Sequence, residues 1–170
     1  MTAGETMPRH LFEGRAAQYG APRFMRPPEG IGKPWKSHVG WKRRMDIIGS
    51  GLDAIEIGRV AEALDRFGER FLRRIFTDGE VAYCRRKKDS AASLAARFAA
   101  KEAAMKALGT GYSRGVHWVG IEVVRRHGPP QLQFHDGAAR RFSEVGGTRA
   151  LLTLTHSREL AIAHVLLFRD

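Results

Sequence analysis

From residue 45 onward the apolar positions fall into short, separable periods. Asp46–Asp53 (DIIGSGLD) is a brief apolar run punctuated by glycine, the pattern of a strand. Across Ile55–Phe67 the apolar residues stand at Ile57, Val60, Ala61, Leu64 and Phe67, which is helical spacing, and Phe71–Phe76 predicts a short helical continuation. Thr77 with Glu80 three residues later is a capping box that opens a helix running to about Arg86. Ser90–Leu108 carries the longest helical pattern, and Gly109 stops it. Val119–Arg125 and Gln131–Phe134 read as strands around a Gly128–Pro129–Pro130 turn. Asp136–Val145 reads as a short helix ended by Gly146–Gly147. Ala150–Thr155 and Leu160–Phe168 read as two final strands joined by a turn at His156–Glu159. No internal repeat is visible. The class this predicts is α+β, with helices packed on a mostly antiparallel sheet.

Residues 1–44 follow no such pattern. They are rich in Gly, Pro and Arg, as in Pro22–Pro34 (PRFMRPPEGIGKP). A segment that buries so little cannot offset its ordering entropy, so a disordered or loosely docked arm is expected, with the folded unit starting near Met45. The chain then divides into an N-terminal extension, 1–44, and a folded domain, 45–170.

Charge sharpens the contrast. The chain holds 29 Lys/Arg against 18 Asp/Glu, a net of +11, and residues 1–44 carry nine Lys/Arg against three Asp/Glu. More than half of the excess therefore lies in the first quarter. Such a field attracts nucleic acid, acidic membranes, nucleotides or acidic proteins, and the arm reads either as passive or as a basic anchor. Glu5, Glu13 and Glu29 spoil the acid-poor pattern of a transit peptide, and the N-terminus lacks the apolar core of a signal peptide. No apolar run is long enough to span a membrane. Cys84 is the single cysteine, which excludes an internal disulfide and fits a cytoplasmic setting.

Four places carry candidate chemistry. In Gly49-Ser50-Gly51-Leu52-Asp53, followed by Glu56 and Arg59, the aspartate either caps the next helix or holds a hard cation against a phosphate. On the long helix, at 100° per residue, Leu94, Phe98, Met105 and Leu108 fall within about 40° of one line. Lys101 lies in that stripe, Arg97 on one edge and Glu102 on the other, with Lys106 one turn beyond. A lysine among apolar residues must be paired or must snorkel. Glu102 and Lys106 form either an i,i+4 ion pair or part of a metal–phosphate site. Gly109-Thr110-Gly111 is either a helix cap or a close backbone approach to phosphate. His156, in Thr155-His156-Ser157, is a surface histidine, a phosphate contact or a proton carrier.

Taken together, in this order, these motifs resemble bacterial holo-[acyl-carrier-protein] synthase. The likeness rests on Gly49-x-Gly51-x-Asp53-x-x-Glu56-x-x-Arg59, Phe76-Thr77-x-x-Glu80, Arg97-Phe98-Ala99-Ala100-Lys101-Glu102-Ala103, Gly109-Thr110-Gly111 and Thr155-His156-Ser157, and covers nearly all of 45–170. The resemblance implies a compact 4′-phosphopantetheinyl transferase fold. It also implies transfer of phosphopantetheine from coenzyme A to a serine of an acyl carrier protein, in fatty acid biosynthesis. It implies magnesium on Asp53 and Glu102, with Lys101 near the phosphates as a third catalytic residue. It puts Arg97, Lys106, Gly109, Thr110, Gly111 and His156 at coenzyme A, and Arg59 on the helix that meets the acidic carrier. It implies a homotrimer with its sites at subunit contacts. Either a carboxylate-held water or Glu102 would take the serine proton. Two features depart from the family: the 44-residue arm, and Thr155 where serine is usual. The rival reading is a small basic nucleic-acid-binding module. It accounts for the charge but not for two carboxylates at phosphate-facing positions.

Overall fold

The structure is a computed structural model and describes residues 45–125 and 128–170. The arm expected over residues 1–44 lies outside the described residues. Strand β1 spans Asp46–Glu56 and runs into helix α1, Ile57–Ile75. Helices α2 (Asp78–Arg85) and α3 (Ser90–Ala107) follow. A 3-10 turn at Trp118–Gly120 leads to β2 (Ile121–Val124), β3 (Gln131–Phe134), α4 (Asp136–Glu144), β4 (Arg149–His156) and β5 (Leu160–Arg169). The α+β expectation holds. Among the described residues all strand pairs are antiparallel, in a three-stranded sheet of order β1-β5-β4 and a two-stranded β2-β3 ribbon.

Helix α3 is the axis of the domain, and its composition explains why. Ala95, Ala96, Ala99, Ala100, Ala103 and Ala104 are all buried, so other elements approach its backbone closely on several sides. On the sheet side the approach is closest at two glycines of β1. A Cβ on Gly51 would stand 1.9 Å from the Ala103 carbonyl oxygen, and one on Gly49 would stand 2.3 Å from that of Ala107. One core cluster lies between α3 and the sheets, around Met105, Leu108, Ile121, Leu152 and Val165. A second lies between α3, α1 and α2, around Val60, Leu72, Ile75, Cys84 and Leu94.

The capping box predicted at Thr77 is present: Thr77 Oγ1 accepts from the Glu80 amide at 3.2 Å, and Glu80 Oε2 accepts from the Thr77 amide at 3.0 Å. Asp89 caps α3 through the Ala92 amide at 2.8 Å. At the other end of α3, the amides of Gly109 and Thr110 donate to the carbonyls of Lys106 and Met105, the bonds of a Schellman cap.

Three boundaries differ from expectation. β1 continues through Ile55 and Glu56, because ladder pairing with Leu160 and Ala161 outlasts the apolar pattern. The helical continuation expected over Phe71–Phe76 is present but ends at Ile75, and the kink that precedes it falls at Gly68 (φ +49°, ψ −130°), a conformation glycine accommodates most readily. β2 starts at Ile121 rather than Val119 because Trp118–Gly120 turns first.

Candidate active site

Asp53 and Glu102 come from elements far apart in the chain and line one cleft. Its volume is about 400 Å³, and Arg59, Phe71 and Phe98 share its wall. β1 carries Asp53 there because Gly49 and Gly51 seat the strand directly on α3, the helix that carries Glu102. The helix-cap reading of Asp53 is set aside: the residue preceding α1 is Glu56, and Asp53 lies inside β1, paired with Ala163.

Each carboxylate is held at one oxygen. Lys106 Nζ lies 2.7 Å from Asp53 Oδ1 and 3.0 Å from the Leu52 carbonyl. The Trp118 indole N–H donates to Glu102 Oε1. Lys106 therefore pairs across elements with Asp53, not with Glu102 one turn away. Among the described residues the other oxygen of each carboxylate accepts no hydrogen bond. Two half-buried carboxylates on one wall of a cleft form an oxygen donor set that suits magnesium, which takes one or two carboxylates together with substrate phosphates.

Lys101 does not enter this cleft. Its ammonium is fully buried, 2.8 Å from Glu80 Oε2 and 2.9 Å from the Trp118 carbonyl, and it also donates to the Ile121 carbonyl. Burial pushes its pKa down, against the pull of the Glu80 carboxylate. An ammonium with three donors spent in the core ties α3 to α2 and β2. That is a different task from screening phosphates, the role implied by the resemblance.

Arg97 and His156 meet elsewhere, in a groove of about 470 Å³ with Tyr83, Lys87 and Arg125. The Arg97 guanidinium lies over the Tyr83 ring at 4.2 Å, and Arg97 Nε is buried without a hydrogen-bond partner among the described residues. An orphaned cationic donor beside Lys87 and Arg125 suits a phosphate. Tyr83 has its pKa lowered: its partial burial alone would raise it, but bonds and charge from Lys87 and Arg125 outweigh that. Around α3, Arg97 and Glu102 are about 140° apart at 100° per residue, so the Arg97 groove and the carboxylate cleft lie on different sides of the helix.

In the Gly109–Gly111 turn two amides already serve the helix cap, as does the positive φ of Gly109 (+69°).

A family model described as the 4′-phosphopantetheinyl transferase superfamily matches residues 49–163. The holo-[acyl-carrier-protein] synthase of Koribacter versatilis (strain Ellin345) is 48% identical over 122 residues, 71% of this chain and 98% of its own length. The chain belongs to the holo-[acyl-carrier-protein] synthase family of 4′-phosphopantetheinyl transferases. The crystal structure of the Neisseria meningitidis synthase matches with a TM-score of 0.67 at 29% identity, over 72% of this chain and 98% of that one. The Bacillus anthracis synthase in complex with CoA (3′,5′-ADP) matches with a TM-score of 0.61 at 34% identity, over 75% of this chain and all of that one.

Trp118, which donates to Glu102, and Tyr83, Lys87 and Arg125, which line the groove, are functional candidates that no sequence motif marked. The only signal available for Trp118 was a large aromatic followed two residues later by a glycine, too common a pattern to single out. The other three are charged or amphipathic residues on surface stretches, and only the tertiary fold gathers them.

Proposed function

We propose that this protein transfers the 4′-phosphopantetheine group from coenzyme A to a serine of an apo-acyl carrier protein, leaving adenosine 3′,5′-bisphosphate. Family membership supports the reaction class, and the CoA-bound relative supports the donor. The observation that carries the reading to this chain is the meeting of Asp53 and Glu102 in one cleft. The nucleic-acid-binding alternative finds no support.

Asp53 and Glu102 would hold a magnesium ion, which when bound supplies charge neutralisation to a diphosphate. The protein's own residues do the rest. The carrier hydroxyl attacks the phosphorus on the pantetheine side of the diphosphate. A new P–O bond to serine forms, the bridging P–O bond breaks, and the adenosine bisphosphate leaves with the electron pair. The serine proton passes to Glu102 or to water held at the carboxylates. Lys106, next to Asp53, places a mobile positive charge where the bridging oxygen gains charge, and positioning with electrostatics supplies most of the rate. The cationic groove of Arg97, Lys87, Arg125 and His156 receives the nucleotide phosphate.

We also assign the assembly as a homotrimer in the cytoplasm. The 140° separation of groove and cleft supports sites shared between subunits, so that one chain's groove completes another's cleft. Leu52 and Leu151, exposed on the sheet at 60% and 50%, supply an apolar surface for such contacts. The exposed Arg59, Arg66, Arg70 and Arg74 of α1 suit an acidic carrier protein. Residues 45–170 form the catalytic domain and 1–44 an extension not needed for transfer.

The test is direct. The protein, coenzyme A, magnesium and an apo carrier protein should yield a carrier heavier by one phosphopantetheine group in a mass spectrum. A carrier of unchanged mass overturns the assignment.

A further inference from the structure

Residues 101 and 102 both lock onto Trp118. The Lys101 ammonium donates to its carbonyl at 2.9 Å, and its indole N–H donates to Glu102 Oε1. The ring is itself held on several sides. Tyr112 packs against it at 4.2 Å between centroids, Phe98 at 6.1 Å, and the Arg74 guanidinium lies over it at 5.8 Å. The 3-10 turn that carries it is pinned by the Gly120 amide on the His117 carbonyl and the His135 amide on the Gly120 carbonyl. The indole is thus a fixed donor aimed at a carboxylate on the wall of the cleft.

We propose that Trp118 is a positioning residue for Glu102: its indole N–H fixes Oε1 and leaves Oε2 as the oxygen that binds a divalent cation shared with Asp53. The inference rests on the reading that these two carboxylates hold the metal. A glutamate side chain has three rotatable bonds, and fixing them on metal binding costs entropy. A bond made in advance removes that cost. The donor is also neutral. A lysine or arginine in the same place would orient Glu102 but cancel the charge that attracts the cation, whereas the indole orients it and leaves the charge in place. The two carboxylates are therefore held differently: Asp53 by a half-exposed ammonium free to move, Glu102 by a packed neutral ring.

Hydrogen bonds to the ligands of a metal change its affinity by roughly 10–100-fold. The experiment uses the full chain with Mn²⁺ as the probe, free Mn²⁺ being read by electron paramagnetic resonance with and without coenzyme A. Trp118→Phe keeps an aromatic ring and removes the donor. It should weaken Mn²⁺ binding by about 10–100-fold. Unaltered Mn²⁺ affinity in Trp118→Phe overturns the proposal. Unaltered affinity in Glu102→Gln overturns instead the metal reading beneath it. A second measurement does not depend on how well Trp118→Phe folds. With ¹⁵N-labelled indoles, the Trp35 and Trp41 signals are assigned by Trp35→Phe and Trp41→Phe, and the third signal is Trp118. Glu102→Gln should move that third signal, and a signal that stays in place contradicts the proposal.

Discussion

Lys106 on α3 meets Asp53 on β1 at 2.7 Å, which joins the two elements that bring the carboxylates together. The Lys106 side chain is 52% exposed, so the pair contributes little to stability and can be exchanged for another partner. Lys106→Met should lower kcat/KM for transfer by about 10–100-fold and cost less than about 1 kcal/mol in denaturant unfolding. A large stability loss with normal transfer would give Lys106 a structural role instead.

Lys101 and Glu80 behave in the opposite way. Both are buried and both are saturated with bonds: Glu80 also accepts from the Val123 amide at 3.0 Å. Removing one partner of a buried pair costs about 3–5 kcal/mol, while replacing both is far milder. Lys101→Met should therefore be strongly destabilised, and Lys101→Met with Glu80→Gln should regain much of the loss, as read in urea midpoints. The pH dependence has a definite sign. Burial lowers the Lys101 pKa, so between that lowered value and the ordinary lysine value the unfolded chain binds more protons than the folded one. The wild type should gain stability relative to Lys101→Met as pH rises through that window.

Gly51 has no room for a side chain, since its Cβ would fall 1.9 Å from a backbone oxygen of α3. Gly51→Ala should cost about 1–3 kcal/mol, the usual range for overpacking. It should also reduce transfer more than the fraction unfolded accounts for, because β1 must lift off α3 and carry Asp53 away from Glu102. Melting curves and initial rates measured on the same preparation separate the two effects.

The Gly-x-Gly run shows how far the sequence could be read. Its position beside an acidic residue pointed to phosphate, and the acidic residue does reach the cleft. The glycines themselves serve a helix that lies 54 residues away from Leu52 by the Lys106 contact, a distance no local pattern reveals. Elements with strong local signals, such as the Thr77 capping box and the Ser90–Ala107 helix, were legible because caps and periodicity are local physics. The paired carboxylates were legible through their motifs. Lys101 was flagged as needing a partner, but that partner, Glu80, appeared in the sequence only as a capping residue. It does both tasks at once, one oxygen serving the cap and the lysine and the other the β2 backbone.

Arg97 offers a test of the second groove. Its Nε is buried with no partner among the described residues, its Nη1 donates to the Ser93 carbonyl at 3.3 Å, and the side chain lines a groove with Lys87 and Arg125. A hydrogen bond to a charged group is worth about 1.5–3 kcal/mol. Arg97→Lys should accordingly raise the KM for coenzyme A by about tenfold or more, with a smaller change in kcat. An unchanged KM would place the nucleotide phosphate elsewhere.

Asp53 and Glu102 are proposed to act together on one ion. Mass spectrometry of the carrier protein after incubation with coenzyme A, magnesium and each of Asp53→Ala and Glu102→Ala addresses it most directly. Neither variant should form a phosphopantetheine adduct, with circular dichroism and melting close to wild type. Adducts formed at the wild-type rate by both variants would contradict it.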